Sequence, residues 1–213
     1  LVCHEVGHTL GLRHNFKSSV INTIDQLQDT TRTLDVGVAG SIMDYTPVNL
    51  AREGEHQGEY WQKGPGAYDL WAIEYAYTPI DAATPEDELP ELSKIASRCA
   101  DPLLSYGTDE DARGYDSSGI DPTVTQFDLG NDPILWSETR MDLASELWSK
   151  MDAYLDKPGQ RYPRYRSLFS QGMGEYFMSS LILSKYIGGI YHRRDHVGDP
   201  GGRVPFEPVA AVT

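Results

Sequence analysis

The sequence predicts a mainly α chain, and three observations carry that expectation. Two long stretches, Asp132 to Leu155 and Tyr165 to Ile187, repeat apolar residues at helical spacing. A shorter one, Pro65 to Tyr77, begins on Gly-Pro and is rich in Tyr, Trp, Leu and Ile. Strand-like runs are short and fall near the end, at Ile190 to Arg193 and Val204 to Phe206. With 213 residues, 39% of them hydrophobic, and 13 Tyr and 4 Trp, the chain is long enough for one large domain or a domain with an appended piece. The formal charge of −14 and sequence pI near 4.7 argue against nucleic acid and against an anionic membrane as partner. No apolar run approaches the ~18 residues of a membrane span.

The elements are expected in this order. Residues 1 to 13 read as a helix, with Val2, Val6, Leu10 and Leu12 as apolar positions beside His4 and His8. Gly11 should turn the chain, because glycine takes positive φ at low cost. Asn15 to Gly40 is polar and reads as irregular. Ser18-Ser19 there is a helix cap ahead of a short face of Ile21, Ile24 and Leu27. Gly54 to Gly66 is a charged loop with His56 exposed in it. The helix over Pro65 to Tyr77 ends at Thr78-Pro79. From 79 to 132 Pro, Asp, Glu and Gly dominate, so an acidic, solvated, turn-rich connection is expected, with one helix between Pro85 and Ala100 through Leu89, Leu92 and Ile95. Its carboxylates lack the D-x-D-x-D-G spacing of an EF-hand loop, and solvation is preferred to calcium there. Asp132-Pro133 starts the first long helix as N-cap and first-turn proline, and Lys157-Pro158-Gly159 stops it. Gly188-Gly189 caps the second, and the two are expected to pack as an antiparallel pair through core-facing stripes. His192 and His196 stand four apart but lack an acidic partner or a clear helix, and read as loop residues. The cysteines, Cys3 and Cys99, read as two free thiols in preference to one disulfide.

The chemistry concentrates at the amino-terminal end. His4-Glu5-Val6-Gly7-His8-Thr9-Leu10-Gly11-Leu12-Arg13-His14 fills every fixed position of H-E-x-x-H-x-x-G-x-x-H. Five fixed residues at about 5% each make a chance match in a chain of this length an event on the order of 10⁻⁴. His4 and His8 share one helix face, so both imidazoles reach one ion. The turn at Gly11 keeps His14 from being carried away. Three neutral imidazoles with an open fourth position form the pattern of a catalytic zinc site, not of a closed structural one. Glu5 lies about 60° around the helix from His8, at roughly 100° per residue. It therefore sits at the edge of the metal face, where it reaches water and not the ion. The expected cofactor is Zn²⁺, held by His4, His8 and His14, with Glu5 as general base. The competing reading is a zinc-stabilised interaction or scaffolding domain without turnover.

Downstream stands Ser41-Ile42-Met43-Asp44-Tyr45. With the histidine motif it resembles the metzincin metallopeptidases, whose signature is followed by a Met-turn, here in the S-x-M-x-Y form of astacin-like and serralysin-like members. The resemblance implies that Met43 forms an apolar floor under the histidines. It places Tyr45 near the metal, as a ligand or as a catalytic group stabilising the oxyanion. His14-Asn15-Phe16, Gly107-Thr108-Asp109-Glu110-Asp111 and Phe127-Asp128-Leu129-Gly130-Asn131-Asp132-Pro133 extend the likeness to a group of large bacterial zinc-dependent metallopeptidases. Asn15 departs from the residue that follows the third histidine in the best-known metzincin subfamilies, which leaves subfamily and specificity open.

The resemblance implies that residues 1–78 are the carboxy-terminal half of a metzincin catalytic domain, with Asp69-x-x-Ala72-Ile73-x-x-x-Tyr77 in its terminal helix. Residues 79–132 are then the acidic connection and 133–213 a helical-hairpin extension. Leu1 lies three residues ahead of a zinc ligand, so the chain is expected to be a fragment of an α+β zincin-like fold whose amino-terminal sheet precedes it. The implied activity is that of a zinc-dependent endopeptidase acting on a peptide or protein. By resemblance it is exported to the periplasm or outside the cell, although this stretch carries no signal peptide.

Overall fold

A computed structural model describes residues 1–112 and 119–210. Among these the chain is mainly α, with one two-stranded sheet. Helix α1 spans Val2–Thr9 and stops where the sequence places a turn. Gly11 adopts φ +91°, and its N–H bonds to the carbonyl of His8 while that of Leu12 bonds to Gly7, both at 3.0 Å. This is a Schellman ending, which satisfies carbonyls the helix would otherwise leave unpaired.

The next stretch is more helical than its polar composition suggests. Ser18–Ile21 is a single 3₁₀ turn, and it does not cap a helix. The cap is Thr23, which exchanges side-chain and backbone hydrogen bonds with Gln26 at the start of α2, Ile24–Leu27. Helix α3, Thr30–Val36, was not expected. Asp29 caps it by accepting from the N–H groups of Thr31 and Arg32, and Gly37 ends it at φ +88°. Helix α4 covers Ala67–Tyr77 as anticipated.

The helix expected from Pro85 to Ala100 is divided. A 3₁₀ turn at Pro85–Glu88, helix α5 at Leu89–Ala96 and a second 3₁₀ turn at Ser97–Ala100 follow one another. A short α6, Asp109–Ala112, comes after. The acidic stretch beyond it is packed where solvation was expected. Asp121, Val124, Asp128 and Leu129 are buried. Two lysines account for part of this: Lys17 donates to Asp121 at 2.7 Å, and Lys185 donates to the carbonyl of Val124 at 2.7 Å.

Helix α7 runs over Pro133–Ser149, capped by Asp132. The backbone breaks at Lys150 and resumes as α8, Met151–Leu155. Helix α9, Pro163–Ser184, packs along α7. Arg140 holds Glu175 with two bonds of 2.9 and 2.7 Å, and the Ser179 hydroxyl donates to the carbonyl of Ser137. Only part of the α9 stripe is core. Gly172, Ser179 and Ile182 are buried, whereas Phe169, Met173, Phe177 and Leu181, each four residues apart, are exposed. Strands β1, Ile190–His192, and β2, Phe206–Pro208, pair antiparallel with Tyr191 opposite Glu207. The main hydrophobic cluster joins Leu27 and Val38 to Leu129, Trp136 and Ile182, so residues from widely separated stretches share one core. Among the described residues no helix is long and apolar enough to cross a membrane.

Candidate metal centre

Helix α1 presents His4 and His8 on one side, and the turn at Gly11 brings His14 back beside them. The ring centroids of His4 and His8 are 4.8 Å apart, those of His8 and His14 4.8 Å, and those of His4 and His14 5.3 Å. Each ring offers a nitrogen, and the three donor atoms lie within 4.8 Å of one another.

The surroundings fix which nitrogen that is. His4 Nδ1 bonds to the carbonyl of Ile42 at 2.7 Å, and His8 Nδ1 to that of Leu12 at 2.9 Å. A carbonyl only accepts, so both Nδ1 atoms carry the proton and both Nε2 atoms keep a lone pair. His14 Nδ1 faces both oxygens of Asp109, at 3.0 and 3.1 Å, and the same tautomer follows. Three neutral imidazoles, each with an outer acceptor on Nδ1, fit a zinc ion bound through Nε2. The Tyr45 hydroxyl lies 2.8 Å from His14 Nε2, on the side of the ring where an ion would sit.

Met43 is fully buried, and its sulfur packs directly on Gly7, so any side chain at Gly7 would collide with it. The turn that carries Met43 is clamped by Asp69 of α4. Its carboxylate accepts from the Ser41 hydroxyl at 2.5 Å and from the N–H groups of Ile42 and Gly66 at 2.8 Å each. Burial raises the Asp69 pKa, against the three donors that favour its charged form. Because Asp69 holds Ile42 and Ile42 holds His4, the carboxylate orients a histidine it does not touch.

Glu5 is exposed and lines a cleft of about 760 Å³ together with His4, Tyr45, Trp61 and Phe127. Phe127 stacks over Tyr45 with centroids 6.0 Å apart and adopts φ +64°, a conformation that bulky residues rarely take.

A protein-family model described as Met-zincin matches residues 1–213. The chain belongs to the Met-zincin family. No curated protein and no solved structure matches it. Membership implies a zinc metalloprotease-like function, and His4, His8 and His14 form a group that could hold a metal ion.

All five residues singled out from the sequence stand together in this Met-zincin: His4, His8 and His14 around one point, Glu5 at the cleft edge and Tyr45 against His14. Three further residues were not assigned a part from the sequence. Asp109 and Phe127 lie inside motifs that carried the family likeness, and Asp69 inside the α4 pattern. Their motifs were visible, but nothing local said which atom each would meet. At Asp109 burial opposes ionisation, yet hydrogen bonds from His14, its own backbone N–H and Thr108 outweigh it and hold the carboxyl below its usual range.

Proposed function

We propose that this Met-zincin is an endopeptidase that hydrolyses peptide bonds with Glu5 as general base. The observation that carries the proposal is the shared orientation of the three histidines, with Nδ1 of each engaged and Glu5 beside them on an open cleft. Zinc, when bound, supplies a Lewis acid for the scissile carbonyl and lowers the pKa of water toward about 7. Glu5 takes the proton of the attacking water and returns it to the leaving amine. Tyr45 donates its hydroxyl hydrogen bond to the oxygen on which charge develops. Met43 gives the histidines an apolar floor, and Phe127 and Trp61 form apolar walls for a bound chain.

The substrate is accordingly a peptide or protein, in an exported compartment by family likeness. Residues 1–78 correspond on this reading to the carboxy-terminal half of a metzincin catalytic domain. Residues 79–132 are then the connection and 133–213 the helical-hairpin extension.

Glu5→Gln tests the assignment. Glu5 is off the ligand face, so the variant is expected to keep its zinc. It should lose about 10²- to 10⁴-fold in kcat on an unfolded protein substrate. Loss of zinc, or near-normal turnover, would show that Glu5 is not the base. Zinc binding with no hydrolysis by the unaltered protein would favour a zinc-stabilised interaction domain instead.

A further inference from the structure

A second cluster of metal-binding side chains stands away from the histidine centre. Cys99 lies in the 3₁₀ turn after α5, and His196 and Asp199 lie in the loop that joins β1 to β2. Cys99 Sγ is 3.1 Å from Asp199 Oδ2 and 3.8 Å from His196 Nδ1, and His196 Nδ1 is 3.2 Å from the same Asp199 oxygen. From the sequence His196 looked like a loop residue without an acidic partner. The fold supplies the partner three residues on, at Asp199, and a thiol 97 positions earlier.

These separations are those of a coordination sphere. Three atoms so spaced share a point about 2.0 Å from each, and an ion slightly out of their plane sits about 2.1–2.3 Å from all three, the range of zinc bonds to nitrogen, oxygen and sulfur. The loop is set in advance for this. Asp199 Oδ2 accepts from the backbone N–H of His196 at 2.7 Å, the Asp199 N–H returns to the His196 carbonyl, and Gly198 between them takes φ +95°. The neighbouring charges are already matched elsewhere: Asp195 pairs with Arg203 and Arg194 with Asp111.

We propose that Cys99, His196 and Asp199 form a second site for zinc or a similar borderline divalent ion, with the fourth position open to water. Thiolate, neutral imidazole and carboxylate together carry two negative charges, which balance the ion. The mixed sulfur and nitrogen set selects zinc-like metals over calcium or magnesium. Binding releases the thiol proton to solvent and forms the metal–sulfur bond in its place. A cysteine nucleophile is the less fitting use of the same residues. The thiol donates to the Asp199 carboxylate at 3.1 Å, and the imidazole stands farther off at 3.8 Å. A divalent ion supplies the positive charge that is missing. The site would pin the β1–β2 loop to the turn after α5, and it stands or falls independently of the peptidase reading.

Cobalt(II) separates the two centres. The histidine cluster holds no sulfur ligand, so a sulfur-to-cobalt charge-transfer band in the near ultraviolet reports the second site alone. The cobalt-loaded protein is expected to show that band and to bind about two ions per chain. Cys99→Ser should abolish the band and remove one ion. His196→Ala, which leaves the thiol in place, should weaken cobalt binding at this site at least tenfold and so keeps the test decisive if Cys99→Ser folds poorly. Cys3→Ser, altering the exposed thiol next to His4, should leave the band unchanged. No sulfur band in the unaltered protein, an unchanged band in His196→Ala, or a band lost in Cys3→Ser and kept in Cys99→Ser, would overturn the proposal.

Discussion

His14 is the one histidine of the cluster that α1 does not itself carry, and its Nδ1 is held by a carboxylate 95 residues away. Asp109 fixes both the tautomer and the direction of that ring. Outer partners of metal-bound histidines typically contribute 10- to 100-fold in affinity. Asp109→Ala is therefore expected to weaken zinc binding by about that factor, measured by competition with a chelating dye. Glu110→Ala is the matched control. Glu110 pairs with Arg13 on the exposed side, where an ion pair contributes little, so zinc affinity should stay within about twofold. Equal losses in both variants would mean that charge near the site matters and the hydrogen bond to His14 does not.

Helix α1 carries two of the three clustered histidines, His4 and His8. It is held from outside: Ile42 takes the His4 ring, Met43 packs on Gly7, and the Tyr77 hydroxyl donates to the carbonyl of Leu10 at 3.0 Å. The α7–α9 pair shows the opposite case, long helices whose contact depends on a residue with no side chain. Gly172 of α9 lies flat against the Trp148 indole of α7, where a Cβ would fall about 2.5 Å from ring atoms. Trp148 is also fixed between Phe169 and Tyr176, with centroids 5.4 and 5.5 Å away, and so has little room to yield. Gly172→Ala should cost about 1–3 kcal/mol through overpacking, even though alanine is the better helix former. Urea unfolding measures this, and a stabilised variant would show that the pair can separate freely.

Across the molecule, a formal charge of −14 coexists with carboxyls that are taken out of water. Asp121 is matched: burial raises its pKa, but Lys17 more than compensates and holds it low. Asp128 is not matched in this way. It is fully buried, and burial lifts it to about 7 against the weaker opposing pull of Ser19 and Lys185. Asp44 shifts the same way, through burial and the nearby Asp128. In the unfolded chain an aspartate titrates near about 3.9, so between about 4 and 7 the folded state binds the extra proton. Stability should be fullest below that window and fall as pH rises through it, by at most roughly 4 kcal/mol from Asp128 at about 1.36 kcal/mol per unit. Overall charge repulsion acts in the same direction, so the comparison must be with Asp128→Asn. That variant should gain stability relative to the unaltered protein at pH 8 and little at pH 4. A constant difference across the range would mean that the native carboxyl titrates normally.

What the sequence determined by itself is local. The spacing of His4 and His8, the turn at Gly11, the Met43–Tyr45 turn, the cap at Asp132 and the helices α4, α7 and α9 all follow from neighbours within a few residues, where backbone periodicity and capping act. Even there α3 has no clear apolar stripe, because it carries only Leu34 and Val36, Leu34 is exposed, and the helix rests on the Asp29 cap. Tertiary structure decided the rest. It chose which carboxylate meets His14, which one clamps Ile42, which side of α9 is covered, that Lys17 and Lys185 take part of the acidic stretch inside, and that Cys99 meets His196. Each of these depends on a partner far along the chain. A carboxylate reads the same in sequence whether it is solvated or buried, because the free energy that separates the two comes from the cation or donor that the fold places beside it.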